Sequence, residues 1–232
     1  THDVPAYQFL YPEKLLPGGQ GRETQLPEDR REGMRRMEKE MRQDRPEGIW
    51  PSGRPKVSIC IPAYNNEAEV RRLLSSIAAQ TMQDVEIILT DDSTNGEIEA
   101  LVEGIRSGRR ADAGSADGIL SDAPSMSRLR YVHNEALSLA KGEYVKIMFS
   151  DDWFTQDNSL EKLTALLDDN PKASLAFCGT MQVSKKQTWA RAAGKEYVER
   201  LRRDYRTLFL GNEIGAPSAT LYRACGAAFD ER

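Results

Sequence analysis

The sequence has 232 residues, is 39% hydrophobic and carries 32 basic against 36 acidic side chains, a net charge of -4; that suffices for one substantial core and offers no basic stripe for a nucleic-acid partner. Three cysteines, an odd number without C-x-x-C spacing, argue against a disulfide framework or zinc site and fit a reducing, cytoplasmic setting. No apolar run approaches the roughly 18 residues of a membrane span and the polar start does not resemble a signal peptide, so the only membrane role left open is peripheral, at the inner face.

Residues 1–54 read as an extension. Pro5, Pro12, Pro17 and Gly18-Gly19-Gln20-Gly21 break its first part. The charged run from Pro27 to Arg45 predicts a helix, and its Met34, Met37 and Met41 form a narrow apolar stripe, read as a packing face. Pro46, Pro51 and Pro55 then make a stiff lead into a domain over 55–232.

That domain begins with Val57 to Ile61, rich in β-branched residues and expected to be a strand stopped by Pro62. Val70, Leu73, Leu74, Ile77 and Ala78 recur at helical spacing. Val85 to Leu89 predicts a second strand, running into Asp91-Asp92-Ser93, and Ile98, Leu101, Val102 and Ile105 a second helix. Ser107 to Met126 is rich in Gly, Ala, Ser and Asp and reads as a surface insertion. From Ser127 the spacing of Leu129, Val132, Ala136, Leu137 and Ala140 predicts a helix stopped at Gly142. Tyr144 to Phe149 follows as a buried strand, Leu160, Leu163, Leu166 and Leu167 mark a helix, and Ser174 to Cys178 a further strand. Tyr197, Leu201, Tyr205 and Leu208 form a core stripe. Strands alternating with helices predict α/β layers on a mostly parallel sheet, which binds ligands beyond the carboxyl ends of its strands.

Three strand ends fall on that edge: Pro62-Ala63-Tyr64-Asn65, Asp91-Asp92-Ser93 and Ser150-Asp151-Asp152-Trp153. A single Asp at a strand end is usually a cap or turn former. Two acid pairs at equivalent ends call for positive charge, because clustered carboxylates repel one another. Oxygen ligands without a Cys or His cluster point to Mg²⁺ or Mn²⁺, which take one or two carboxylates and complete their shell with water and phosphate oxygens. His133 has no paired ligand and reads as a packing residue; Trp153 could serve either a sugar or the fold.

Taken together, V-S-I-C-I-P-A-Y-N-N-E, Q-T-M-Q-D-V-E-I-I-L-T-D-D-S-T, N-E-A-L-S-L-A-K-G-E-Y-V-K-I-M-F-S-D-D and G-N-E-I-G-A-P-S-A-T-L-Y-R resemble the inverting family 2 glycosyltransferases of the GT-A fold, from about Pro55 to the end. The resemblance implies a Rossmann-like α/β/α fold with a mostly parallel mixed sheet, behind a partly helical N-terminal extension. It also implies a metal-dependent hexosyl- or N-acetylhexosaminyl-transferase, using a nucleotide-sugar donor, commonly a UDP-sugar, and a glycan or glycoconjugate acceptor.

Matched position by position, the resemblance gives Pro62, Ala63, Tyr64 and Glu67 to the nucleoside, and Asp92 to the N–H of the base, as suits an acceptor-only carboxylate. It sets Arg128 beside the nucleotide, with a solvated helix-face role as the alternative, Asp151 at the ribose or sugar and Asp152 on the metal, Mn²⁺ or Mg²⁺. Phe149 stands where many members carry a further Asp, which makes the metal site lean. The strand and turn usual before the helix at Asn134 are expected to be replaced by the 107–126 stretch. The general base is expected downstream of Gly211 to Ala219, which leaves Asp230 and Glu231 as positional candidates or a base beyond the chain end. The alternative function is a non-catalytic nucleotide-sugar-binding module of a larger assembly. A dinucleotide-dependent dehydrogenase is excluded because Ala63-Tyr64-Asn65-Asn66 stands where G-x-G-x-x-G would be needed.

Overall fold

Val57–Ala63, Val85–Asp91 and Tyr144–Ile147 are rich in β-branched and aromatic residues, and nearly every side chain of the first two is buried, as strands covered on both faces require. The computed structural model describes residues 53–107, 120, 122–132 and 137–224, together with the backbone of 6–10. Residues 1–11 and 54–232 make one unit and 12–53 another; the expected helix from Pro27 to Arg45 lies outside the described residues.

In chain order the described elements are β1 (Ala6–Leu10), β2 (Val57–Ala63), α1 (Glu67–Ala78), β3 (Val85–Asp91), α2 (Glu97–Arg106), β4 (Leu129–Val132), β5 (Tyr144–Ile147), α3 (Ser159–Asp168), β6 (Ala173–Cys178), β7 (Thr180–Val183), β8 (Thr188–Arg191), α4 (Lys195–Arg203), α5 (Thr207–Leu210) and β9 (Thr220–Arg223). Seven strands form one sheet in the order β1-β6-β9-β5-β2-β3-β4, and β7 and β8 form a separate hairpin. From β5 through β2 and β3 to β4 the pairing is parallel, whereas β9 runs antiparallel between β5 and β6, and β1 antiparallel to β6. The sheet is therefore mixed and mostly parallel, as the alternating pattern predicts.

The amphipathic helices account for the core. Val70, Leu73, Leu74 and Ile77 of α1, Ile98, Leu101, Val102 and Ile105 of α2, and Leu160, Leu163 and Leu167 of α3 pack in one cluster with β2 and β3. Strand alternation sends Ala176 of β6 to that cluster and Phe177 to a second one with Tyr197, Val198 and Leu201 of α4. Among the described residues no helix is long and apolar enough to cross a membrane.

Three local expectations are corrected. The chain does not enter a helix at Ser127: Pro124–Arg128 is a short 3₁₀ turn and Leu129–Val132 is β4, pairing in parallel with Ile87 to Thr90. The strand expected to be missing before Asn134 is thus present. An edge position beside β3 decides this: Leu129 and Val132, three apart, fit helical spacing, but pairing with β3 overrides that period and only Leu129 is buried. Second, β2 continues through Pro62 to Ala63; Pro62 pairs with Thr90 of β3, and β5 leaves that side of β2 after Cys60↔Ile147, so the missing proline donor breaks no ladder there. Third, Leu120, in the expected surface insertion, is fully buried in the core.

Gly142 ends no helix. A Cβ there would lie 2.4 Å from the Ser58 nitrogen and 2.6 Å from the Tyr144 oxygen. Its N–H donates to Ser58 Oγ at 2.7 Å, and Ser58 Oγ donates to buried Glu86, which also accepts from Lys141 N at 2.7 Å and from Arg130 at 2.8 Å. This network seats the entry of β5 on β2 and β3.

Candidate functional site

Register brings the three strand ends, two of them acid-bearing, to one edge. Ala63 stands opposite Asp91, Cys60 opposite Ile147, and Met148 N donates to Cys60 O at 2.9 Å. The segments that follow β2, β3 and β5 therefore emerge side by side. The loop after β2 ties them together. Asn65 takes φ 49°, a left-handed conformation that asparagine tolerates, and its N–H donates to Ser93 Oγ at 2.7 Å while its Oδ1 accepts from Thr94 N at 3.3 Å. Asn66 Nδ2 donates to Ser150 Oγ, and Asn66 Oδ1 accepts from Tyr64 N at 3.3 Å.

The Asp91-Asp92 pair divides its labour. Asp91 is buried and accepts hydrogen bonds from Ser93 N at 2.9 Å, Ser93 Oγ and the Tyr131 hydroxyl at 2.8 Å. Burial, and then the Asp91 carboxylate, push the Tyr131 hydroxyl well above its ordinary range. Asp92 next to it is exposed. After β5 the buried residue is Ser150, and neither acid is structural: Asp151 is exposed and Asp152 half-buried, with Asp152 N donating to Phe149 O at 3.0 Å. The carboxylates of Asp92, Asp151 and Asp152 make no hydrogen bond among the described residues. Asp91 is thus spent inside the fold, while Asp92, Asp151 and Asp152 stand free at the rim.

The other sequence candidates are distributed as follows. Pro62 is exposed, Ala63 buried and Tyr64 60% exposed, which leaves its ring available at the same edge. Glu67, in the first turn of α1, is paired with Arg71 one turn on. Arg128 is not brought to this edge: it is buried and bonds Asp84 at 2.8 Å, at the opposite, N-terminal end of β3, because β4 starts directly after it. His133, Asn134, Asp230 and Glu231 lie outside the described residues.

Beside the acid pair a cleft runs from Asp152 and Trp153 along Lys146 and Cys178 to Ser218 and Ala219. The Arg72 guanidinium stacks 4.2 Å from the Trp153 ring centroid. Lys146 is fully buried; burial lowers its pKa to about 8, with the Cys178 and Asp152 charges acting the other way. Among the described residues no three His, Cys, Asp or Glu side chains converge as a ready metal cage. Asp151 and Asp152 nonetheless fit Mg²⁺ or Mn²⁺ in character: hard oxygen donors, free of other hydrogen-bond partners, in the small number that such ions take when phosphate oxygens and water complete the shell.

Sequence reasoning overlooked the framework of the site. Asn65, Asn66, Ser93, Ser150 and Ser218 hold the loops in place, and their signal is faint: small polar residues directly after strands read first as turn formers. Lys146 had a clearer one, a lone cation inside a buried strand.

The family model described as "Glycosyl transferase family 2" matches residues 58–224. An uncharacterized protein of Mycobacterium tuberculosis (strain CDC 1551 / Oshkosh) is 28% identical over 183 residues, 73% of this chain and 54% of its own length. The putative glycosyltransferase EpsH of Bacillus subtilis (strain 168) is 26% identical over 180 residues, 73% of this chain and 47% of its own. The chain spans about half the length of these relatives. Among solved structures, Staphylococcus aureus TarS 1-349 in complex with UDP superposes with a TM-score of 0.46 at 20% identity, covering 72% of this chain and 46% of that one.

Proposed function

The chain belongs to glycosyl transferase family 2, and from that premise we propose that its acid-bearing sheet edge moves a sugar from a nucleotide-sugar donor, a UDP-sugar, to a hydroxyl of a glycan or glycoconjugate. The observation that carries this reading is the convergence of Asp92, Asp151 and Asp152, free of hydrogen-bond partners among the described residues, on loops tied together through Asn65 and Asn66.

Asp92 accepts from the N–H of the base, while Pro62, Ala63 and the exposed ring of Tyr64 face the nucleoside. Glu67 contributes through its pair with Arg71. Asp151 accepts from hydroxyls of the ribose or sugar. Asp152, with Asp151 beside it, would hold Mn²⁺ or Mg²⁺, and such an ion supplies positive charge that offsets the diphosphate. In an inverting transfer the acceptor oxygen bonds to the anomeric carbon as the bond from that carbon to the diphosphate oxygen breaks, and the hydroxyl proton passes to a carboxylate base. Asp230 and Glu231 remain the positional candidates for that base.

The test is a thermal-shift panel of nucleoside diphosphates with and without Mn²⁺. At about 100 times its dissociation constant a ligand stabilises the folded state by about 2.7 kcal/mol, so UDP with Mn²⁺ should raise the melting temperature clearly. Asp152→Asn should remove the metal-dependent part and Asp92→Ala should weaken UDP itself. The absence of a shift with every nucleoside diphosphate would overturn the reading, whereas binding of UDP-sugars without UDP release on any acceptor would identify a binding module.

A further inference from the structure

Lys146 takes no part in the roles above, yet it carries a charge into the middle of β5 at 0% exposure. A buried ammonium is costly unless it is bonded, and an apolar side chain would fill a buried strand position without that cost. Its bonds are specific. Nζ donates to the carbonyl oxygen of Ser218 and, at 3.1 Å, to that of Thr220, and it lies 5.7 Å from the Phe154 ring centroid.

Those carbonyls lie where β5 no longer holds the chain: Thr220 pairs with Phe177 of β6, but neither Ser218 nor Thr220 has a ladder partner in β5. The β5–β9 ladder comprises Tyr144↔Arg223 and Val145↔Tyr222 and stops there. Beyond it the chain preceding β9 passes through the short turn Pro217–Ala219 alongside Lys146 to Phe149 without ladder bonds from β5. On the β5 side two side-chain links take over, the Lys146 ammonium and Ser218 Oγ, which accepts from Phe149 N at 3.1 Å, while on the β6 side Cys178 Sγ donates to Ala219 O at 3.5 Å. Lys146, Ser218 and Ala219 line the same cleft as Asp152.

We infer that Lys146 is a positioning residue for sugar transfer: its ammonium clamps the 216–220 segment to the acid-bearing end of β5 and so fixes the wall of the cleft that faces Asp152. The catalytic part of this inference rests on the proposed function; the clamp itself does not.

Lys146→Met keeps the unbranched stem of the side chain and removes the terminal ammonium with its donors. Losing hydrogen bonds from a charged group should speed amide exchange across 215–221 by about tenfold or more while Ile59 and Ile87 keep their rates. UDP affinity with Mn²⁺ should stay within about twofold, while kcat for UDP release from UDP-glucose or UDP-N-acetylglucosamine falls by about tenfold with little change in KM, the pattern of a lost transition-state contribution. Lys146→Gln, which retains an N–H donor, should recover part of both effects. Wild-type exchange at 215–221 in Lys146→Met, acceleration spread equally through β2 and β3, faster loop exchange with unchanged turnover, or failure of both variants to fold would each overturn the inference. A wild-type protein that binds no UDP would refute the proposed function instead and leave the exchange comparison to decide the clamp.

Discussion

The same chemical change, glycine to alanine, should have opposite signs at Gly142 and Gly104. At Gly142 the new methyl would sit 2.4 Å from Ser58 N, 2.6 Å from Tyr144 O and 2.8 Å from Ser58 Oγ. Two of these are backbone atoms of paired strands, so no side-chain rotation relieves the clash and β5 must move off β2. Overpacking of this kind costs about 1–3 kcal/mol, and disrupting the bond from Gly142 N to Ser58 Oγ, with the Glu86 contacts behind it, adds about 1–2 kcal/mol. A total near 3 kcal/mol lowers the melting temperature of a domain this size by about 6–12 °C. At Gly104, inside α2, a Cβ meets nothing within 4 Å, and alanine should add about 0.5–1 kcal/mol through helix propensity and a less disordered unfolded chain. Scanning calorimetry on the two variants and the wild type measures both. Gly142→Ala matching the wild type, or Gly104→Ala falling below it, would refute the packing argument. Because Gly142 seats the strand that leads into Asp151 and Asp152, its alanine variant should also weaken UDP binding.

Three further outcomes are expected. Burial raises Asp168, but hydrogen bonds from Lys56 at 2.7 Å and from Tyr144 outweigh it and hold its carboxyl below the ordinary range; a depressed carboxylate adds stability above its unfolded pKa and loses it as pH falls through the folded one. Asp168→Asn should thus cost about 0.5–1 kcal/mol at neutral pH, a screened surface value, with the difference closing in urea titrations as pH falls through the depressed folded pKa of the carboxyl; a difference persisting in acid would contradict it. Burial, followed by the Glu86 charge, pushes the Cys60 thiol up to about 12, so about one molecule in ten thousand is thiolate at pH 8 and peptide mass spectrometry after iodoacetamide should find Cys60 unmodified. Arg128→Met should lose about 1–2 kcal/mol of stability with its Asp84 pair and leave UDP affinity unchanged in calorimetry; a tenfold loss of affinity would place Arg128 at the nucleotide after all.

Where burial and period agree, the sequence is a faithful guide. Leu73, Leu74 and Ile77 cannot share a buried face except on a helix, and the runs Val57 to Ile61 and Val85 to Leu89 are too short and too β-branched to be anything but interior strands. Legibility fails where those signals are absent or shared. Both strands of the β7–β8 hairpin lie largely outside the core and leave no alternation to read. Leu129 and Val132, three apart, fit the helical period, and only pairing with β3 overrides it. Of the site, the acids could be read because their charge is anomalous after a buried strand. Which member of the Asp91-Asp92 pair is free could not, since that depends on Tyr131, distant in sequence and delivered by β4. Arg128 was misplaced for a related reason: spacing along the chain does not tell which end of a strand a residue occupies.

The pairing of Ala6–Leu10 with β6 bears on how the protein can be trimmed. Composition suggests cutting near residue 54, yet that cut would strip away a border strand and lay bare the backbone donors and acceptors of Ala173–Cys178, a ready template for a foreign strand. A shortened version starting at the apparent boundary should therefore be prone to self-association, and a short peptide carrying the first eleven residues should suppress it.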